Sequence, residues 1–391
     1  MKIDKLNVRH WLYLLAFLVN TVIAVVIRPF VKNRQSRHQV LLYGHKLNSN
    51  LKAIYEYWKN LESRTIDMAF LTMDPEYFKE LKTLGVKTVL ATRITTTLDI
   101  AKADCVISDH GLHALEAALR WSSIRFVDVW HGIPFKGFDA DDFKVQRQFS
   151  EVWVTSSLLK KIYVEKFGFP TEAVFALGYA RTDVLINGTT DRDVVKNALG
   201  IADVRKKIIL FAPTWRQDEF NRNIFPFGVG RTEFFCALDR LCQRVDAYCI
   251  FRTHLNSAVE EQPSCTHIFY APHSQFPDTE AILSIADILV CDWSSIAFDF
   301  LLLNRPTVFL DVPPPFKKGF SLGASYRFGE IVGDFSGLLE ALERYVQNPN
   351  AFQVVYGDLV AEIRRRLYDG NADGRAAERC YNRLLNLSKA S

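Results

Sequence analysis

Ala-Asp-Ile-Leu-Val-Cys-Asp-Trp-Ser-Ser-Ile-Ala-Phe-Asp-Phe, residues Ala286 to Phe300, is the stretch on which the reading of this chain turns. Ile288 to Cys291 is a short apolar run with the length of a strand buried on both faces. It stops at Asp292, and Ser294 and Ser295 stand directly before an apolar stretch, Ile296 to Leu303, long enough to begin a helix. Ser and Asp favour the N-cap, so the segment reads as strand, tight turn and helix N-terminus. Taken alone, the serines fit the caps of an ordinary core helix. The same helix end also offers unpaired N–H groups and a partial positive charge, which suit a phosphate.

Outward from this stretch the alternation repeats. Strands are expected at Gln39 to Tyr43, Ala69 to Thr72, Thr88 to Ala91, Cys105 to Ser108 and Arg125 to Trp130. A second set follows at Lys207 to Phe211, Tyr248 to Arg252, Ile268 to Tyr270, Ile288 to Cys291 and Thr307 to Leu310. Helical segments such as Leu51 to Trp58 and Ala114 to Trp121 lie between them, the pattern of parallel β-α-β units. The stretch Asn187 to Lys206, which opens polar with Asn-Gly, separates the sets. The expected fold is α/β: two Rossmann-like, doubly wound domains, residues 39–200 and 201–391, after an N-terminal segment 1–38. Ligands of such sheets sit at the carboxyl ends of the strands, here also in the cleft between the domains.

The 391 residues, 49% apolar and 24% charged, have an ordinary folded composition. A net charge of +4 carries no nucleic-acid footprint, so no nucleic-acid partner is expected. The seven cysteines show neither Cys-x-x-Cys nor a zinc-spaced histidine, which points to buried free thiols in a reducing compartment. Trp11 to Ile27 is uncharged, with Lys2, Lys5 and Arg9 before it and Arg28, Lys32, Arg34 and Arg37 after it. That length is at the lower limit for a bilayer span, and the basic flanks suit anionic headgroups. Arg28-Pro29-Phe30 takes the place of a small-residue cleavage site, so a cleaved signal peptide is disfavoured. Attachment to a membrane, spanning or at its surface, is expected.

Residues with chemistry fall at the predicted strand ends. Arg125 to Trp130 runs into His131-Gly-Ile-Pro-Phe-Lys136, where an imidazole is suited to general-base work and Lys136 to a phosphate. Gly178-Tyr-Ala-Arg-Thr-Asp183 brings Arg181 and Asp183 into one turn. Thr214 and Arg216 follow the strand that ends at Phe211. Arg252 and His254 alternate on one side of an extended chain, and two cation-capable groups there suit a pyrophosphate. Neither a Gly-x-x-x-x-Gly-Lys-[Ser/Thr] loop nor a Gly-x-Gly-x-x-Gly turn occurs. Asp139-Ala-Asp-Asp142 matches the short acidic pattern that holds a divalent metal in some nucleotide-sugar transferases, a pattern common by chance.

In this order, His131-Gly-Ile-Pro-Phe-Lys136, Gly178-Tyr-Ala-Arg-Thr-Asp183, Ala212-Pro-Thr-Trp-Arg216, Arg252-Thr-His254 and Asp292-Trp-Ser-Ser-Ile-Ala-Phe-Asp-Phe300 resemble the CDP-glycerol glycerophosphotransferase family of teichoic-acid and capsule synthesis. The likeness runs from about Leu41 to Asp311. It implies a GT-B architecture and transfer of glycerol phosphate from CDP-glycerol to a hydroxyl of a lipid-linked acceptor, with release of CMP, at the cytoplasmic face of the cell membrane. On that pattern His131 looks like the base, with His254 and Asp183 as further catalytic candidates. Arg252, His254, Ser294 and Ser295 look like the donor pyrophosphate site, joined by Lys136, Arg181, Thr214, Arg216 and Asp292 as substrate-binding candidates. No metal or other cofactor is expected. The sequence departs from the family at Trp293, usually Tyr, at Ala180, usually Pro, and beyond Asp311. That leaves a ribitol-phosphate transferase using CDP-ribitol, or a GT-B glycosyltransferase using a nucleotide sugar, as alternatives.

Overall fold

The computed structural model describes residues 3–31, 37–214, 225–252, 265–314 and 316–389. The chain forms two compact units. One comprises Met1–His131, Asp139–Asp183 and Arg375–Ser391; the other comprises Gly132–Phe138 and Val184–Gly374.

The first unit holds a seven-stranded parallel sheet: β1 (His38–Tyr43), β2 (Ile66–Thr72), β3 (Thr88–Leu90), β4 (Cys105–Ser108), β5 (Arg125–Asp128), β6 (Glu151–Val154) and β7 (Val174–Ala176). Their spatial order is β3-β2-β1-β4-β5-β6-β7, so the winding reverses between β1 and β4. Tyr43 pairs in register with Ser108, and Ser108 with Asp128. The carboxyl ends of β1, β4 and β5 are therefore level, and the loops that follow them leave the sheet side by side.

The alternation of a strand explains how this sheet is covered. Val40 and Leu42 pack into one core, with residues of helix α2 (Ser49–Lys59) and of the C-terminal helix Ala376–Lys389. Leu41 and Tyr43 point the other way and pack with residues of helix α1 (Val8–Val31) and of Thr96–Lys102. The apolar N-terminal segment is thus one of the covering helices of the sheet. Phe17, Asn20 with Thr21, Ala24 and Arg28 form its buried face, which recurs every three to four residues. Asn20 donates to the Ala91 and Arg93 carbonyls at 2.9 and 3.0 Å, and Arg28 to the Ala101 and Ala103 carbonyls at 2.8 and 2.6 Å. The opposite face, with Leu12, Leu15, Val19, Val22 and Val26, is exposed. By length and composition α1 is also apolar enough to cross a membrane.

The second unit holds six parallel strands: β8 (Lys207–Phe211), β9 (Ala247–Phe251), β10 (Ile268–Tyr270), β11 (Ile288–Cys291), β12 (Thr307–Leu310) and β13 (Glu330–Val332). Their order β10-β9-β8-β11-β12-β13 reverses between β8 and β11. All four residues of β11 are buried, as its apolar run implies. The helix after it is shorter than the sequence suggests: Ile296–Phe300 is helical, and Leu301–Leu303 tightens into a 3₁₀ turn that ends at Asn304 in a left-handed conformation, φ 53°. None of the seven cysteines forms a disulfide, and five are buried.

Candidate active site

Three level strand ends of the first sheet each deliver imidazole. His45 follows β1, His110 and His113 follow β4, and His131 follows β5. The rings of His45 and His110 lie 4.5 Å apart, and those of His110 and His131 stack at 4.9 Å with an interplanar angle of 11°. Tyr43 hydroxyl bonds His113 Nδ1 at 2.8 Å. Asp109 holds two of the rings. Its carboxylate lies 2.6 Å from His110 Nδ1, and its backbone carbonyl 3.2 Å from His131 Nδ1. A carbonyl only accepts, so His131 carries its proton on Nδ1 and leaves the Nε2 lone pair for chemistry.

The backbone that presents His131 is strained and held. Trp130 has φ +27°, unusual for a bulky residue. Asn50 donates to the carbonyls of both Val129 and Trp130 at 2.8 Å, and Arg181 donates to the His131 carbonyl at 2.6 Å. The Trp130 ring sits 4.3 Å from His131 and 5.0 Å from Phe143. These contacts fix the loop in a conformation the chain would not choose alone.

The surroundings divide the protons unevenly. Protein atoms around His131, followed by the nearby His110, hold its pKa below 6.5. More than a third of this residue is nevertheless open to water, so the lowering is smaller than full burial would give. His45 is pushed down to about 4, mainly by desolvation and then by His110. His110 goes the other way: desolvation lowers its pKa, but the charge and hydrogen bond of Asp109, with a further contribution from Asp128, outweigh it and raise the pKa. Asp128, fully buried at the end of β5, is pushed up to about 7 by desolvation against a hydrogen bond from Trp130 N. Within the cluster the surroundings favour the charged form at His110 and the neutral form at His45, His113 and His131.

The second unit's strand ends are built differently. Asp292, after β11, accepts the Thr214 and Trp293 backbone N–H groups at 2.7 Å each, and the Thr214 hydroxyl as well. One carboxylate thus ties together the ends of β8 and β11, where the winding reverses. Ser295 occupies the N-cap position in an αR conformation and makes no side-chain capping bond. Ser294 and Ser295 are half-buried. Trp293 packs edge-on against Phe135 and lies under the Arg327 guanidinium, 4.2 Å away. Arg252 follows β9; its guanidinium bonds the Ala271 and Phe276 carbonyls, His273 and the Thr279 hydroxyl. Burial lowers its pKa to about 10, so it stays charged at neutral pH.

The remaining sequence candidates are placed as follows. Lys136 lies in the Gly132–Phe138 segment of the second unit, bridged to Phe320, with its ammonium 4.9 Å over the Phe138 ring. Arg181 is buried beneath the His131 loop. The Asp183 carboxylate accepts the Ala376 and Ala377 N–H groups at 2.9 and 2.8 Å and so caps the C-terminal helix. Arg216 and His254 lie outside the described residues. The acidic run has a structural reason: Asp139 and Asp142 form a reciprocal capping box on the 3₁₀ turn Ala140–Phe143. Asp109, His110, His45 and His113 escaped the sequence reading. The signal was there: Ser108-Asp-His-Gly111 and Gly44-His45 follow strand ends in the same way as His131.

Residues 26–386 match the profile of the CDP-Glycerol:Poly(glycerophosphate) glycerophosphotransferase family. The chain belongs to this family. Its relatives include a teichoic acid ribitol-phosphate polymerase, TarL, of Staphylococcus aureus (strain NCTC 8325 / PS 47), 28% identical over 62% of this chain and 46% of the relative. A teichoic acid poly(glycerol phosphate) polymerase of Bacillus subtilis (strain 168) is 24% identical over 68% of this chain and 37% of the relative. The chain spans about half or less of the first of these curated relatives. In fold it is similar to the wall teichoic acid polymerase TagF, with a TM-score of 0.72, 19% identity, and coverage of 98% of this chain and 99% of that one. A UDP-GlcNAc 2-epimerase from Neisseria meningitidis shares the fold at a TM-score of 0.57 and 14% identity, covering 89% of this chain and 100% of that one. Two parallel-sheet α/β domains of GT-B type are therefore the architecture of this member of the family.

Proposed function

We propose that this protein transfers glycerol phosphate from CDP-glycerol to a hydroxyl of a lipid-linked acceptor, releasing CMP, in the synthesis of a teichoic-acid or capsule polymer. The observation that carries the reading is the His131 ring, anchored through Nδ1 and disfavoured as a cation, with its Nε2 lone pair left to accept a proton. In the proposed reaction His131 takes the acceptor hydroxyl proton. The acceptor oxygen bonds to the phosphorus that carries glycerol, and the bond from that phosphorus to the oxygen leaving with CMP breaks. Such a step needs placement and charge stabilisation more than covalent help from the protein. On the donor side we assign the pyrophosphate to Arg252, Ser294, Ser295 and Thr214, with Asp292 fixing the backbone and Arg216 and His254 completing the set. The reaction runs without a metal in this reading.

Residence at the cytoplasmic face of the cell membrane belongs to the same proposal. The exposed apolar stripe of α1, with Lys5 and Arg9 exposed near its start, gives a surface suited to the headgroup region. Its other face is bonded through Asn20 and Arg28 to the carbonyls of Ala91, Arg93, Ala101 and Ala103, which favours lying at the surface over spanning. Replacing Leu12, Leu15, Val19 and Val26 together by Gln should move the protein from the membrane fraction to the soluble one, while the deep contacts of α1 stay in place.

Ribitol-phosphate polymerases stand among the relatives beside glycerol-phosphate enzymes, so CDP-ribitol is the second donor to weigh. The deciding assay offers CDP-glycerol, CDP-ribitol and UDP-sugars in turn and detects the nucleotide released. CMP from CDP-glycerol supports the proposal; CMP from CDP-ribitol alone moves it to the second reading, and UDP release defeats both.

A further inference from the structure

We propose that Asp128 positions His131 as a neutral carboxylic acid, and that loss of its proton releases the turn on which His131 is carried. The inference rests on the transfer reading above and deepens it with a second residue on which the proposed base depends. Two carboxyl groups stand on neighbouring strands here and differ in their partners. Ser108 and Asp128 pair in register at the ends of β4 and β5, so Asp109 leaves the sheet beside Val129. Asp109 has a partner for its charge, His110 Nδ1 at 2.6 Å. Asp128 is 1% exposed, and its Oδ1 accepts the Trp130 N–H at 3.0 Å. Its Oδ2 is buried with no hydrogen-bond partner among the described residues.

The strand explains why that oxygen is left bare. Side chains alternate along β5: Val127 and Val129 pack in one core and Phe126 in the other, so Asp128 falls on the side of Phe126. Across the sheet, its partner Ser108 donates its hydroxyl to the His110 carbonyl at 2.8 Å, and its partner Val152 is apolar. The titratable groups that face Asp128 are Asp109 and His110 after β4, and Tyr163 on the helix Ser157–Glu165, which burial keeps protonated. An ionised Asp128 is therefore an unpaired buried charge with a second carboxylate nearby, and both conditions favour the acid. Desolvation is the main cause that pushes its pKa up to about 7, against the Trp130 N–H bond and with Asp109 adding to it.

The acid is joined directly to the turn that carries His131. Trp130 sits at φ +27°. The turn is held by Asp128 at the Trp130 N–H, by Asn50 at the Val129 and Trp130 carbonyls, and by Arg181 at the His131 carbonyl. Of these three side chains Asp128 is the one that titrates near neutrality. With its proton it accepts the Trp130 N–H and buries no charge. Without it the carboxylate draws water or the His110 imidazolium toward itself. The strained turn then loses the geometry that keeps His131 Nδ1 3.2 Å from the Asp109 carbonyl, and with it the tautomer on which the proposed base depends.

The test uses the full chain with two variants: Asp128→Asn, which keeps a neutral acceptor for the Trp130 N–H, and Asp128→Ala, which does not. Two readouts need no turnover. The infrared difference between wild type and Asp128→Asn should show the carbonyl band of a protonated carboxylic acid at about pH 6. That band should disappear as pH rises through about 7. Nitrogen NMR of histidine-labelled protein, with the His131 signals assigned by His131→Gln, should show a His131 transition with the same midpoint in wild type and none there in Asp128→Asn. If the transfer reading also holds, kcat/KM for CMP release from CDP-glycerol should fall in wild type by about tenfold per pH unit above that midpoint. Asp128→Asn should lack this fall, and at about pH 6 it should recover most of the loss, about tenfold or more, seen in Asp128→Ala. No acid band at about pH 6 overturns the proposal, as does a His131 transition or an alkaline fall in Asp128→Asn equal to that of wild type. If wild type releases no CMP from any CDP-polyol, the transfer reading fails, while the two spectroscopic readouts still decide the role of Asp128.

Discussion

The level strand ends of the first sheet carry four imidazoles, whose protonation is shifted by burial, by the charge of neighbouring His110 and, at His110 itself, by Asp109 and Asp128. The strand ends at the winding reversal of the second sheet carry hydroxyls and backbone N–H groups, organised by the single carboxylate of Asp292. One folding pattern thus carries two different sets of groups, which the proposed reaction uses for proton handling in one unit and for holding an anion in the other. In the first unit the decisive side chains bond one another. In the second the Asp292 carboxylate bonds Thr214 and the backbone of Trp293, and Ser295 makes no side-chain capping bond.

This contrast is broken most easily at His131. His131→Ala should lower turnover by about 10²–10⁴, the usual loss for a general base. Turnover near the wild-type level would move the proton to another residue. The structure makes Asp183 a poor substitute, because its carboxylate already caps the helix Ala376–Lys389. Asp183→Ala is expected to lower the melting temperature more than it lowers turnover.

Arg28 gives the next largest effect, on stability. Arg28→Ala would leave the Ala101 and Ala103 carbonyls without their donor, at a cost of about 1–3 kcal/mol. Thermal unfolding should show it, and hydrogen exchange in α1 should rise. An unchanged melting temperature would mean that α1 is not fixed to the sheet in the way described.

Much of this architecture is legible in the sequence. Strands β8, β10, β11 and β12 run between the residues the apolar runs indicate, because buried parallel strands are nearly unbroken apolar segments. Strands β6, β7 and β13 are not legible. They have three or four residues, and β6 and β13 begin with Glu. Glu151 is buried only because Arg383 and the Trp153 indole N–H, from a distant helix and from its own strand, satisfy it. The role of α1 in covering the sheet was hidden for a similar reason, since composition reports that a helix is apolar but not which face is already occupied. At the candidate site, the position of His131 is legible from its strand end, whereas Asp109 contacts His131 through its backbone carbonyl and His110 through its side chain, and no sequence pattern records that.

A smaller effect belongs to Ser295. Ser295→Ala should raise the KM for CDP-glycerol about tenfold, the worth of one hydrogen bond to a charged group, with the fold intact. Donor kinetics equal to wild type would remove this serine from the anion site.

The pH response should be gentler still. His45 has its folded pKa lowered to about 4, so the unfolded chain takes up this proton first as pH falls. Its contribution to stability is full above pH 6.5 and is lost as pH falls from there toward 4. His45→Gln should flatten the decline of melting temperature across that window, and an identical decline in the variant would contradict the assignment. For the same reason the acid limb of kcat/KM, which reports the free enzyme, should fall below pH 6.5 if His131 is the base.

The division of labour between the units is tested most directly by the dissociation constant of CDP-glycerol, measured calorimetrically without acceptor, for wild type, His131→Ala and the double variant Ser294→Ala with Ser295→Ala. The account predicts a constant unchanged from wild type in His131→Ala and weakened about tenfold or more in the double serine variant. Weaker donor binding in His131→Ala, or none of the loss in the serine variant, would contradict it.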